Sequence, residues 1–139
     1  MVSAKDKKAS SEDKVTLRLH LWLEHDKKNY VGVGRVLLLD KIEKLGSLRK
    51  AATAMNMSYR AAWGKIKAAE ETVGQPLVRK TPTGGQRYEV TEFGKELVEK
   101  FINFYRDVEN YALKKAEGVF PLEVSGYLES YGKGQFEES

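Results

Sequence analysis

Cysteine is absent from the 139 residues, and histidine occurs only twice, as His20 and His25. The first absence excludes disulfides and thiolate metal sites, and it fits a reducing cytoplasm. The second leaves little for a metal centre. The two histidines stand an odd number of residues apart in one strand-like run, so they face opposite ways. Both are expected to face solvent, and no metal site is expected. No apolar segment approaches the ~20 residues that cross a bilayer. The polar opening, MVSAKDKKASSEDK, lacks the apolar run of a signal peptide. No nucleophile or paired-carboxylate motif stands in a catalytic frame. The VGVG run at 31–34 lacks the third glycine and the strand–loop–helix setting of a phosphate cradle. The expectation is a soluble, cytoplasmic protein that is not an enzyme, holds no cofactor and touches no membrane.

What the chain does have is charge, unevenly placed. The formal net charge is +4, with 32% charged and 41% hydrophobic residues, in one domain's worth of chain. Residues 47–90 carry eight lysines and arginines (Arg49, Lys50, Arg60, Lys65, Lys67, Arg79, Lys80, Arg87) against Glu70, Glu71 and Glu89. Residues 117–139 carry five glutamates against Lys133. The basic surplus thus falls where a polyanion would dock.

It falls on a recognisable pair of short helices, GSLRKAATAMNMSYRAAWGKIKAAEETVG from Gly46 to Gly74. Ser47 and Ser58 each precede an apolar-periodic run and are placed to cap it, since a serine oxygen accepts from first-turn N–H groups. Leu48, Ala51, Ala52 and Met55 share one helical face, as do Ala62, Ile66, Ala69 and Val73. Small alanines on both stripes let the helices cross closely. Two helices joined by so tight a turn make a helix-turn-helix, whose second helix usually reads the major groove. After Gly74, the runs at 76–80 and 86–90 read as short strands around the turn-forming TPTGG, a β-hairpin wing.

The rest of the chain frames this unit. Residues 1–14 read as a flexible N-terminal arm. Strict alternation from Val15 to Leu23 predicts one half-buried strand, followed by a turn-rich connector over 26–34. Arg35 to Leu45 predicts a helix with Val36, Leu38, Leu39, Ile42 and Leu45 on its apolar face. Thr91 is placed to cap a long helix running to about Ala116, with Glu92 suited to its positive end. The apolar set of this helix is wider than one ~100° stripe, which implies a second buried face. The same helix of a second subunit is the simplest partner, with Phe93, Leu97, Phe101, Phe104 and Val108 as the dimer interface; the other reading is that residues 1–32 and 117–139 fold back over it. Residues 117–139, with four glycines and no sustained period, read as a flexible acidic tail.

From Ser58 on, SYRAAWGKIKAAEETVGQPLVRK resembles the LysR-type helix-turn-helix signature. The resemblance rests on Ser58, Ala61, Ile66, Glu70, Gly74, the Pro76-Leu77 pair and Lys80. The wording GSLRKAATAMNMSYRAAW is closer still to the N-terminal domain of ModE-type molybdate-responsive regulators. The likeness covers roughly Val15 to Ala116, residues 15–116, with a dimerisation helix at about 91–116. It implies a mainly α fold with a small β component, a winged helix-turn-helix with a long C-terminal dimerisation helix. It also implies a transcriptional regulator that binds double-stranded DNA as a homodimer on an inverted-repeat operator. Such regulators bind molybdate or tungstate in a separate C-terminal domain, which this chain is expected to lack. A partner protein or effector stays open, and the other reading is a winged-helix module that binds protein instead of DNA.

The candidate DNA contacts are Ser47, Ser58, Tyr59, Arg60, Trp63, Lys67, Arg79, Lys80, Thr83 and Arg87. The resemblance puts DNA at Ser58, Tyr59, Arg60 and Trp63. Arg60 is suited to the O6/N7 pair of guanine. Trp63 has two readings, contact with DNA or packing beside the first strand or helix. Gly64 stands where the LysR-type pattern has a long polar side chain.

Overall fold

The structure, a computed structural model, describes residues 14–82 and 87–130. The described chain divides into two compact units, residues 21–103 and residues 14–20 with 104–130. It is mainly helical with three two-stranded sheets.

The larger unit begins with a β-hairpin, β2 (Trp22–His25) and β3 (Lys28–Gly32), paired antiparallel. Asp26 and Lys27 form its two-residue turn with φ of 53° and 66°. Positive φ at both central residues matches the natural right-handed twist of a hairpin. This corrects the turn-rich connector predicted for 26–34, and α1 (Val33–Leu45) starts two residues earlier than expected. Helix α2 (Leu48–Ala54) follows, Asn56 adopts a left-handed φ of 60° in the turn, and α3 (Tyr59–Val73) crosses behind it. Ser47 Oγ accepts from Lys50 N at 3.0 Å, and Ser58 Oγ accepts from Ala61 N at 3.0 Å. Gly74, with φ of 80°, ends α3 in a conformation that costs other residues strain.

The core of this unit is aliphatic. Leu38, Leu39 and Ile42 of α1, Leu48, Ala51 and Ala52 of α2, and Ala62, Ile66 and Ala69 of α3 form one buried cluster with Leu77, Val78 and Val90. Burying a side chain the size of Ile66 contributes about 1.5–3 kcal/mol. The alanines keep the helix axes close.

Strands β4 (Val78–Lys80) and β5 (Tyr88–Val90) pair antiparallel with Arg79 opposite Glu89, forming the wing after α3. The expected wing tip, including Thr83, lies outside the described residues. Glu70 fastens the wing to α3: its Oε2 accepts from Leu77 N at 2.8 Å and Val78 N at 3.3 Å. Thr91 starts α4 (Glu92–Ala116), accepting from Gly94 N at 3.0 Å and donating to Pro76 O at 2.8 Å. A Cβ at position 94 would lie 2.8 Å from Leu77 O and 2.7 Å from Val90 Cγ1, so only glycine lets the helix start this close to the wing.

The smaller unit is built on the second half of α4, β1 (Lys14–Leu17), β6 (Glu123–Gly126) and α5 (Tyr127–Ser130). Strands β1 and β6 pair in parallel, Lys14 opposite Glu123. Two corrections follow. The strand expected over Val15–Leu23 breaks after Leu17, because Leu19 gives both backbone groups to one side chain. Tyr105 Oη accepts from Leu19 N at 3.2 Å and donates to Leu19 O at 3.1 Å. The expected loose acidic tail is instead, over 117–130, a strand and a short helix seated on Glu109. That carboxylate is buried and accepts from Leu128 N at 2.9 Å and Glu129 N at 3.3 Å. Residues 1–13 and 131–139 lie outside the described residues, and with them most of the arm and the end of the tail.

Candidate nucleic-acid interface

Helix α3 has two faces of opposite character. Ala62, Ile66 and Ala69 point into the core, and Arg60, Gly64, Lys65 and Lys67 are exposed. The Ser58 cap takes one first-turn amide and leaves the rest of that turn open to solvent, the end where a helix dipole attracts anions. No acidic residue occupies this first turn. Arg60 makes no ion pair or hydrogen bond among the described residues, so its guanidinium fork is unspent.

Between the two faces runs an aromatic band. Trp63 stands edge-on to Tyr59, with ring centroids 6.5 Å apart, and edge-on to Tyr88 of the wing at 4.8 Å. All three rings are half-buried and pack against the aliphatic core from outside. The two readings of Trp63 are therefore compatible, since one side of the ring rests on core and the rest remains accessible. Cations lie over the band. The Arg49 guanidinium sits 4.5 Å from the Tyr59 ring centre, and Lys67 Nζ sits 5.0 Å from that of Trp63. Each such contact holds a cation over a ring without neutralising it.

The other candidates are spread around this face. Lys67 Nζ also lies 3.6 Å from Glu70 Oε1. Arg79 is engaged across the wing, its Nη2 2.9 Å and its Nε 3.0 Å from Glu89 Oε2. An exposed pair of this kind is worth little and is easily exchanged. Lys80 and Arg87 are exposed at the wing's outer end. Ser47 holds its α2 cap, and its hydroxyl hydrogen stays free to donate. Sequence reasoning missed Arg49 and Tyr88 as members of the band. Their only sequence signals are a basic residue two after a capping serine and an aromatic residue entering a wing strand. Among the described residues no group of histidine, aspartate or glutamate is placed to hold a metal ion. No helix among them is long and apolar enough to cross a membrane.

The five long-helix candidates differ in exposure. Phe93 and Phe104 are exposed at 37% and 43%, Leu97 and Val108 are half-buried, and Phe101 is buried at 4%.

Residues 35–95 match the family of the bacterial regulatory helix-turn-helix protein, lysR family. The molybdenum-pterin-binding protein MopA of Rhodobacter capsulatus is 35% identical over 97 residues, 68% of this chain and 35% of that protein. The molybdenum transport protein ModE of Azotobacter vinelandii is 35% identical over 66 residues, 46% of this chain and 24% of that protein. The chain thus spans about a third or less of these relatives' length. A crystal structure of Vibrio fischeri DarR in complex with DNA superposes with a TM-score of 0.52 at 21% identity, covering 63% of this chain and 29% of that one. That likeness concerns the fold. Together these findings give residues 35–95 a helix-turn-helix of the LysR type, with distant homology to ModE and the Mop proteins.

Proposed function

We propose that this LysR-type helix-turn-helix reads double-stranded DNA by sequence, and that the chain is a ModE-like transcriptional regulator working as a homodimer on an inverted repeat. The observation that carries the reading is the outward face of α3: an open, non-acidic first turn and an unspent Arg60 beside an aromatic band overlaid with cations. A helix so equipped places its first turn at base edges, with Arg60 suited to one guanine. Ser47, Ser58 and Tyr59 have hydroxyl donors for phosphate. Lys67, Lys80 and Arg87, with Arg79 and Thr83, supply backbone contacts on either side. Two subunits bring two such helices to half-sites whose centres lie about 34 Å apart, or a multiple of that.

For the dimer, Phe93 and Phe104 are the exposed apolar candidates on α4, flanked by the half-buried Leu97 and Val108. Phe101 is spent within its own chain, so a charge there tests folding and a charge at Phe104 tests the seam. Sedimentation of the unmodified protein as a monomer at micromolar concentration would sink the dimer.

The deciding experiment compares Arg60→Ala with the unmodified protein on two duplexes at one fixed salt. One duplex is recovered from a random pool by repeated binding, and the other is its scrambled version. The expected loss is roughly ten- to a hundredfold on the first, with binding to the second nearly intact. Equal losses on both would mean that Arg60 holds phosphate and reads no base.

A further inference from the structure

Gly64 is the residue of the α3 outer face whose identity the fold itself does not require. Glycine inside a helix is less favourable than alanine, because it gives up more backbone freedom and covers less backbone. Structures tolerate it where φ is positive or where a neighbour crowds the Cβ. Neither holds here. Gly64 is not among the residues with positive φ, and a Cβ built on it meets nothing within 4 Å. It sits mid-helix, five residues after Tyr59 at the start of α3 and nine before Val73 at its end, unlike Gly74, whose positive φ explains it. The space left open is therefore available to something outside the chain.

That space is a shallow, open depression of about 410 Å³ lined by Trp63, Gly64, Lys67 and Tyr88. Its walls are the indole and phenol rings that meet edge-on at 4.8 Å, both backed by the core and so held in place. Its floor is helix backbone whose amides are already bonded within α3. Lys67 stands at the rim, its ammonium 5.0 Å from the indole centre. Such a recess suits an apolar group carried on a polyanion, and a cation would meet the lysine first. The major groove displays one apolar group among the base edges, the C5-methyl of thymine. Position 64 lies one helical turn from Arg60 on the same outward side.

We propose that the Gly64 recess is a thymine-reading subsite. It takes the 5-methyl of one thymine over Gly64, against the Trp63 and Tyr88 rings, with Lys67 on an adjacent phosphate. The proposal rests on the DNA-binding reading above and makes Gly64 and Tyr88 determinants of sequence preference.

The test uses the duplex recovered from the random pool, with each thymine replaced in turn by uracil, which differs only in lacking the methyl. The unmodified protein should lose about fourfold in affinity at one thymine of each half-site, the effect of one buried methyl. Gly64→Ala should raise the melting temperature by about 4 °C, as a helix gains from alanine. It should nevertheless bind the thymine duplex about tenfold more weakly, and it should lose the uracil effect at that position. The proposal is overturned if no uracil weakens the unmodified protein. It is equally overturned if Gly64→Ala binds undiminished or keeps the uracil effect. Failure of the unmodified protein to bind any duplex would remove the DNA-binding reading itself and this subsite with it. Binding without a uracil effect removes the subsite alone.

Discussion

The two units of this protein reach stability by different means. In residues 21–103 the buried cluster is aliphatic, Lys41 being the one buried charged side chain described there, and polar bonds sit at the margins, where Ser47, Ser58 and Thr91 cap helices and Glu70 takes the wing amides. In residues 14–20 and 104–130 the order is reversed. There, Tyr105 and Glu109 are among the most deeply buried side chains, at 0% and 1% exposure. The phenol holds Leu19 by both backbone groups, the carboxylate seats α5, and the Arg18 guanidinium lies 4.1 Å from the Tyr127 ring centre. A small two-stranded parallel sheet cannot gather enough apolar surface to stand by itself. Directional bonds to backbone groups make up what burial does not supply. The first kind of unit loses stability in proportion to the volume removed, whereas the second depends on a few atoms being present and in the right ionisation state.

Three measurements sharpen or break this contrast. The largest effect is expected from Ile66→Asp, which puts an unpaired charge into the aliphatic cluster. An isolated buried carboxylate costs several kcal/mol, comparable with a domain's whole stability, so residues 21–103 should lose cooperative unfolding by circular dichroism. A folded variant with an intact melting transition would mean that the cluster tolerates water and is not the main source of stability. Next comes Glu109→Ala. It strands the Leu128 and Glu129 amides without an acceptor, at about 1–3 kcal/mol. Hydrogen exchange of residues 123–130 should accelerate by roughly ten- to a hundredfold. Unchanged exchange there would show that α5 is held by something other than this carboxylate.

The smallest effect is a pH dependence. Burial, ahead of every other influence, raises the Tyr105 hydroxyl above its ordinary value of 10.0, and its hydrogen bond to the Leu19 backbone partly opposes the shift. A raised folded-state value favours the neutral phenol in the folded form. The contribution is therefore complete below the unfolded value near 10 and is lost as pH rises through the folded one. Melting temperatures taken from pH 8 to 11.5 should fall more steeply for the unmodified protein than for Tyr105→Phe. Parallel curves would deny the phenol any part in the pH response.

The same contrast decides what was legible in the sequence. The helix-turn-helix follows from local signals: serines at 47 and 58, the Ala62–Ile66–Ala69 spacing, and Thr91 ahead of a long periodic run. Even so, Lys41 is buried at 1% on α1, where no apolar pattern would place it. The hairpin turn at Asp26–Lys27 escaped notice because it reaches positive φ without the glycine or asparagine that usually marks such turns. The smaller unit was illegible for a deeper reason. Alternation runs unbroken through Leu19, and only a hydroxyl 86 residues away interrupts the strand there. Four residues at 123–126 show no period of their own and become a strand only beside β1. At the candidate interface, the spacing predicted which α3 residues point outward. The gathering of Arg49, Trp63 and Tyr88 required knowing how α2, α3 and the wing meet.

The parallel pairing of Lys14–Leu17 with Glu123–Gly126 also sets an order of events on the ribosome. Strand β1 is made before the helix-turn-helix, and its partner is made more than a hundred residues later. At ~5–20 residues per second the wait is roughly 5 to 20 s. Over that interval Val15 and the unpaired backbone of β1 stand open to any other extended chain. The helix-turn-helix, whose contacts are local, needs no such wait and can close while α4 is still being synthesised. The nascent chain therefore acquires its helix-turn-helix before the strand that precedes it has found its mate.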